Sequence, residues 1–151
     1  MSVVFRQELL TDVLPEYARF VHTYWDNSPE NEGLPPLDFN WTAYKTMDNA
    51  GYLFLLVGRE DNRMVAAALY TVMRDLKRQT LIVAQADTFA VARSHRGKGI
   101  GRKMYYEAEK HLVALGVSSI TNGFREVYDV EPLFPSVGAE LFERIYIKVV
   151  G

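Results

Sequence analysis

The stretch from Phe89 to Met104 constrains this chain more than any other. An apolar run of strand type (Phe89-Ala90-Val91) passes into a basic turn with glycine at every second position, Arg96-Gly97-Lys98-Gly99-Ile100-Gly101, and then into an amphipathic helix. Glycine lets the backbone bend so that successive N–H groups converge on one concavity. The first turn of a helix adds unpaired N–H groups and a partial positive charge. A strand, a glycine turn and a helix N-terminus in that order make a site for phosphate oxygens. Arg93, Arg96, Lys98, Arg102 and Lys103 gather there with His95 and no acid, in a chain of formal net charge −2. Taken alone, those charges also suit an ordinary solvated loop. The motif is neither a P-loop, which needs Gly-Lys-Ser/Thr, nor a dinucleotide fingerprint, which needs Gly-x-Gly-x-x-Gly.

The rest of the chain supplies the frame. Val3 to Phe5 opens a short strand. Leu14, Tyr17, Ala18, Val21 and Trp25 recur at helical spacing after a cap at Thr11 or Asp12. Pro29, Gly33, Pro35 and Pro36 mark a long loop from Asn27 to Asp38, and a second helix covers Trp41 to Met47. Tyr52 to Gly58, Met64 to Met73 and Thr80 to Val91 are apolar enough to be strands buried on both faces. The helix after the glycine turn runs to about Leu115, with Ile100, Met104, Ala108, Leu112 and Leu115 on one stripe and Gly116 as its left-handed stop. A strand from Val117 to Thr121, a brief helix from Asp129 that Pro135 ends, and a final strand from Glu140 to Val150 complete the order β-α-α-β-β-β-α-β-α-β. This pattern predicts an α/β (mixed α+β) fold over residues 1–151 as a single domain. One central mixed, mostly antiparallel sheet carries helices on both faces.

Composition narrows the classes. At 151 residues, 48% hydrophobic and 24% charged, the chain can bury a real core. The absence of cysteine removes disulfides, thiolate metal sites and a cysteine nucleophile. The three scattered histidines have no metal-ligand spacing, so no metal is expected. The slightly acidic balance argues against a nucleic-acid partner, and no apolar run nears the ~20 residues of a membrane helix. A cytoplasmic location is the default expectation.

Arg96-Gly97-Lys98-Gly99-Ile100-Gly101 resembles the Arg/Gln-x-x-Gly-x-Gly/Ala signature of the GNAT superfamily of acyl-CoA-dependent N-acetyltransferases. The flanking strand, the following helix and the element order resemble it over nearly the whole chain. The resemblance implies that acetyl-CoA is the co-substrate, its pyrophosphate on the backbone from Arg96 to Gly101 and on to Arg102. It places the pantetheine arm beside Phe89, Ala90 and Val91, in a gap where that strand parts from the one starting near Val117. A primary amine, on a small molecule or a peptide, would attack the thioester directly without a covalent enzyme intermediate. The amine must first lose a proton, and Asp87, the one acid from Thr80 through Val91, is the candidate base. Its plainer reading is a strand residue satisfied by a neighbour. Trp25 continues the apolar stripe of its helix, and the resemblance puts its region beside the acceptor site.

The tail departs from the family pattern. Alignment on Gly138 puts Val127 where asparagine is usual, and Phe134 where a tyrosine protonates the departing thiolate. Phe134 then lines the site near the sulfur, and Tyr128 is a substitute acid. These departures support a second reading, a catalytically weak acyl-CoA-binding or partner-docking module. Either reading is compatible with a homodimer.

Overall fold

The computed structural model describes residues 2–25, 35–123, 133–142, 145, 146, 148 and 150, with Trp25 described in its backbone only. The order is β1 (Val4–Glu8), α1 (Leu10–Trp25), α2 (Trp41–Asn49), β2 (Leu53–Glu60), β3 (Arg63–Arg74), β4 (Ile82–Val91), α3 (Ile100–Ala114), β5 (Ser119–Thr121) and α4 (Leu133–Ser136). The five strands form one sheet in the order β1-β2-β3-β4-β5. The first three pairings are antiparallel and β4–β5 is parallel.

Local chemistry sets the element ends. Only Asp61 and Asn62 separate β2 from β3, both at positive φ, which is the two-residue hairpin that twisted strands prefer. Asn40 caps α2 by accepting from Ala43 N–H at 3.0 Å. Gly116 stops α3 at φ +88.

The apolar strands are buried on both faces because helices cover both. Leu55, Val57, Ala67 and Leu69 pack against Leu10, Leu14, Tyr17 and Val21 of α1. Phe54, Leu56, Ala66, Ala68, Tyr70 and Ala84 pack against Met104, Ala108 and Leu112 of α3. Burying each large side chain stabilises the fold by roughly 1.5–3 kcal/mol. Arg59 fastens the far edge, bonding Glu8 of β1 and Glu16 of α1 at 2.9 and 2.8 Å. The Arg59 hydrogen bond holds the Glu16 carboxyl below its ordinary range.

Two irregularities of β4 open the sheet beside the glycine turn. Leu69 pairs with Thr88 and Tyr70 with Ala86, so Asp87 is the extra residue of a β-bulge. Before it, Ile82, Ala84 and Ala86 face α3; after it, Phe89 and Val91 do. The second irregularity is at β5, which pairs with Val83, Ala84 and Gln85 and then ends at Thr121. Beyond Gln85 that edge of β4 has no strand partner among the described residues.

The expected final strand is corrected. Among the described residues from 139 to 150 there is no strand, and Leu141, Phe142 and Tyr146 are 74, 92 and 91% exposed. An alternating pattern forms a strand only where an edge receives it. The brief helix is observed at Leu133–Ser136, containing Pro135; its expected start at Asp129 lies outside the described residues.

Candidate active site

The glycine turn is braced from its two sides. Ala92 N–H donates to the Val65 carbonyl at 2.7 Å as β4 ends, and Arg93 to His95 form one 3₁₀ turn. Tyr24 of α1 supports it: its hydroxyl accepts from Arg93 N–H at 3.1 Å, and its ring lies 5.4 Å from the Arg96 guanidinium. Arg96 Nε in turn donates to the Val91 carbonyl at 2.9 Å. The Arg96 side chain therefore closes the loop from within. His95 turns toward Glu60 at 2.7 Å and clamps the loop to the end of β2. That hydrogen bond lowers the Glu60 pKa.

The glycines do different work. Gly97 and Gly99 sit at φ +75 and +77, where L side chains are strained, and Gly99 is the N-cap of α3 without any capping side chain. Gly101 is ordinary helix, and a Cβ there would stand 3.8 Å from Phe89 and 3.9 Å from Val91, so alanine fits. The N–H groups of Gly97, Lys98, Gly99, Ile100, Gly101 and Arg102 have no acceptor among the described residues. No acid occupies the first turn of α3, and Lys98 is exposed beside it. Free donors, a helix N-terminus and local positive charge can hold a pyrophosphate.

From this turn the open edge of β4 runs back through Val91, Ala90 and Phe89 to the bulge. Phe89 and Val91 present their side chains to the α3 face, and Ala90 is buried on the α1 face. The next residue, Thr88, is buried and accepts from the Tyr17 hydroxyl at 2.9 Å. The bulge turns Asp87 toward the same face, where its Oδ2 accepts from the Tyr44 hydroxyl of α2 at 2.9 Å. Asp87 keeps an open side, yet the packing behind it removes water from the carboxyl. That desolvation raises its pKa, and the Tyr44 hydrogen bond opposes the rise. Burial chiefly, and the Asp87 charge next, push the Tyr44 hydroxyl up so that it stays a donor. A desolvated carboxylate beside a fixed donor at the head of a strand gap can take a proton from a bound amine.

The remaining expected residues divide. Leu133 of α4 lies beside Gly101, with a side-chain carbon 4.0 Å from where a Cβ would be. Arg102 and Tyr106 both reach the Ser136 carbonyl at 3.4 Å, so α4 sits against the first turns of α3. Half-buried Phe134 belongs to that helix. Tyr128 and Val127 lie outside the described residues, as does the Trp25 side chain. Among the described residues no His, Asp and Glu group could hold a metal ion, and no helix is long and apolar enough to cross a membrane. Tyr44 was not legible as a site residue, and Tyr24 only as a neighbour of Trp25 at the end of α1. Each serves through a hydroxyl that meets its partner 69 or 43 positions away.

The model of the acetyltransferase (GNAT) family matches residues 14–127, from α1 past β5. The chain belongs to the GNAT acetyltransferase family. Solved structures agree on the fold. A ribosomal-protein-alanine N-acetyltransferase from Brucella melitensis biovar Abortus 2308 superposes at TM-score 0.77 with 20% identity, covering 100% of this chain and 99% of its own. The aminoglycoside acetyltransferase meta-AAC0020 from an uncultured soil metagenomic sample reaches 0.76 at 13% identity, covering 99 and 97%. Glucosamine-6-phosphate N-acetyltransferase from Arabidopsis thaliana reaches 0.72 at 13% identity over 100% of both chains. No curated protein sequence matches this GNAT chain.

Proposed function

We propose that this GNAT protein transfers the acetyl group of acetyl-CoA to a primary amine. One observation carries the reading: the phosphate-type turn and Asp87 stand at opposite ends of the β4 edge that has no strand partner among the described residues. The pyrophosphate sits on the N–H groups of residues 97–102, and pantetheine lies along residues 89–91. The thioester then comes to the parting of β4 and β5, next to Asp87.

An ammonium of pKa ~10.4 has no lone pair to attack with. Asp87, or a water it holds, takes the proton. The amine nitrogen bonds to the thioester carbonyl carbon, the C–S bond breaks with its electron pair on sulfur, CoA thiolate leaves, and the nitrogen gives up its second proton to water to leave the neutral amide. Phe134 lines the sulfur end and supplies no proton, a role that passes to Tyr128 or to water. A thiol of pKa ~8.5 leaves acceptably without a strong acid.

The substitution of Phe134 for a proton donor also favours the second reading, a weak acyl-CoA-binding module. Steady-state CoA release over a panel of primary amines separates the two. Turnover with any of them supports transfer. Tight acetyl-CoA binding by calorimetry with no amine-dependent release supports the module.

A further inference from the structure

Thr88 is out of character for its place. Tyrosines apart, it is the only polar residue buried among the described ones, at 2% exposure, on a strand where Ala90 and its cross-strand partner Leu69 are apolar. Valine has the same shape and no hydroxyl to strip of water, so a buried threonine is a net cost unless its oxygen is bonded. Here it is bonded, by the Tyr17 hydroxyl of α1 at 2.9 Å, and Tyr17 is itself 1% exposed.

Consecutive residues of a regular strand point to opposite faces. The bulge breaks that alternation. Asp87 and Thr88 both reach the layer of α1 and α2, and each meets a tyrosine hydroxyl from a different helix. Trp41 of α2 joins the two tyrosines, its ring 6.0 Å from that of Tyr17 and 5.3 Å from that of Tyr44. Thr88, Tyr17, Trp41, Tyr44 and Asp87 thus make a closed circuit of contacts around the extra residue of β4. Asp87 is exposed at its rim and Thr88 is buried at its root. A bulge re-aims the side chain it carries. Tying down the flanking Thr88 therefore settles where Asp87 points.

We propose that Tyr17 is a positioning residue for acetyl transfer: by holding Thr88 it locks the bulge, and the locked bulge keeps the Asp87 carboxylate turned to the incoming amine. This rests on Asp87 acting as the base under the acetyltransferase reading. Tyr17 acts through β4, not on either substrate.

The lock has an electrostatic sign. Packing behind Asp87 removes water from the carboxyl and raises its pKa. A carboxylate that holds a proton more tightly takes it more readily from an ammonium of pKa ~10.4. A slack bulge lets the carboxylate turn outward, regain water and titrate lower. Of the described residues, the ionisable groups coupled to that carboxylate are Tyr44 of α2 and Tyr17 of α1, both kept protonated chiefly by burial. Loss of the Tyr17 bond thus moves the Asp87 titration down, opposite to loss of the Tyr44 bond, which lowers the carboxyl pKa while it stands.

The test uses the full chain and two readouts. One is the pH profile of CoA release with a panel of primary amines. The other is the titration of the Asp87 carboxyl by carbon NMR, its signal identified by its loss in Asp87→Asn. Tyr17→Phe should lower kcat about 10-fold, the equivalent of a ~1.4 kcal/mol hydrogen bond, with acetyl-CoA affinity unchanged. Its acidic limb and its carboxyl titration should both move to lower pH. Thr88→Ser keeps the acceptor and should titrate as the unaltered chain does. Tyr17→Phe leaves the Thr88 hydroxyl buried and unbonded, so its Tm should fall. Adding Thr88→Val removes that cost and should bring Tm back, whereas kcat and titration should stay as in Tyr17→Phe. Recovery of kcat and titration along with Tm, or an unmoved titration in Tyr17→Phe, overturns the proposal. If no amine is turned over although acetyl-CoA binds, the transfer reading fails, and the carboxyl titration still decides whether Tyr17 aims Asp87. Should Tyr17→Phe not fold, the double variant carries the comparison.

Discussion

The two ends of the open β4 edge are built in opposite ways. The glycine turn is a backbone device: residues 93–101 are contiguous, two glycines hold positive φ, and the donors are main-chain N–H groups at the start of α3. The Asp87 end is a side-chain device, gathered from β4, α1, α2 and the segment before α2. Backbone sites tolerate exchange of side chains but not of φ; side-chain sites tolerate backbone neighbours but not loss of a functional group. Substitutions at the two ends should therefore fail in different ways.

The largest expected effect is at Asp87. Asp87→Asn keeps an acceptor for Tyr44 and removes the base, so kcat should fall ~10²–10⁴-fold with acetyl-CoA affinity unchanged. Stability should move the other way. Desolvation raises the Asp87 pKa in the folded chain, so the folded state holds that proton more tightly than the unfolded one. The stability contributed by the protonated form is complete below the unfolded pKa and is lost as pH rises through the folded value. At neutral pH the carboxylate is therefore a net cost. The Asn variant should have a higher Tm at pH 7 and nearly the same Tm at pH 3. Full activity in a folded Asn variant would remove Asp87 from the mechanism.

At the other end, Gly99→Val places a β-branched residue at φ +77. Losing one or two charged hydrogen bonds of ~1.5–3 kcal/mol each should weaken acetyl-CoA binding about 10- to 100-fold or more in calorimetry. Gly101→Ala is the control: its Cβ fits between Phe89 and Val91, and affinity should stay within about twofold. Equal losses in both variants would mean that the glycines serve packing rather than the ligand.

Tyr44→Phe links the two kinds of site. The hydroxyl bond to Asp87 lowers the carboxyl pKa against desolvation, so its removal should raise that pKa further. The acidic limb of the pH–rate profile should move up by up to about one unit, the equivalent of a ~1.4 kcal/mol hydrogen bond. An unmoved limb together with an intact kcat would mean that Asp87 does not titrate in turnover. The smallest change is expected for Phe134→Tyr. A hydroxyl near the sulfur should leave kcat within about threefold or raise it. A loss beyond 10-fold would show that Phe134 packs rather than faces the thioester.

Residues 93–116 were legible because their chemistry is local: glycine spacing, charge and a helical stripe are written in consecutive positions. The β2–β3 hairpin and both helix layers were legible for the same reason. The tail was not. Leu141, Ile145 and Val149 alternate as a strand would, yet a strand exists only if an edge accepts it, and alternation says nothing about edges. The bulge was hidden too, since Thr80 to Val91 is apolar enough on both faces to conceal a one-residue change of phase.

The sequence by itself determined the strand–turn–helix at Gly97 to Gly101, the two-faced sheet and the position of one acid beside them, because backbone conformation and periodic burial are short-range properties. Only the tertiary structure decided that Asp87 occupies a bulge, that Tyr44 holds it, and that Tyr24 and Arg96 lock the turn. The Tyr44 and Tyr24 hydroxyls meet partners 43 and 69 positions away along the chain. No local pattern encodes such a meeting, because it depends on how the helices pack on the sheet.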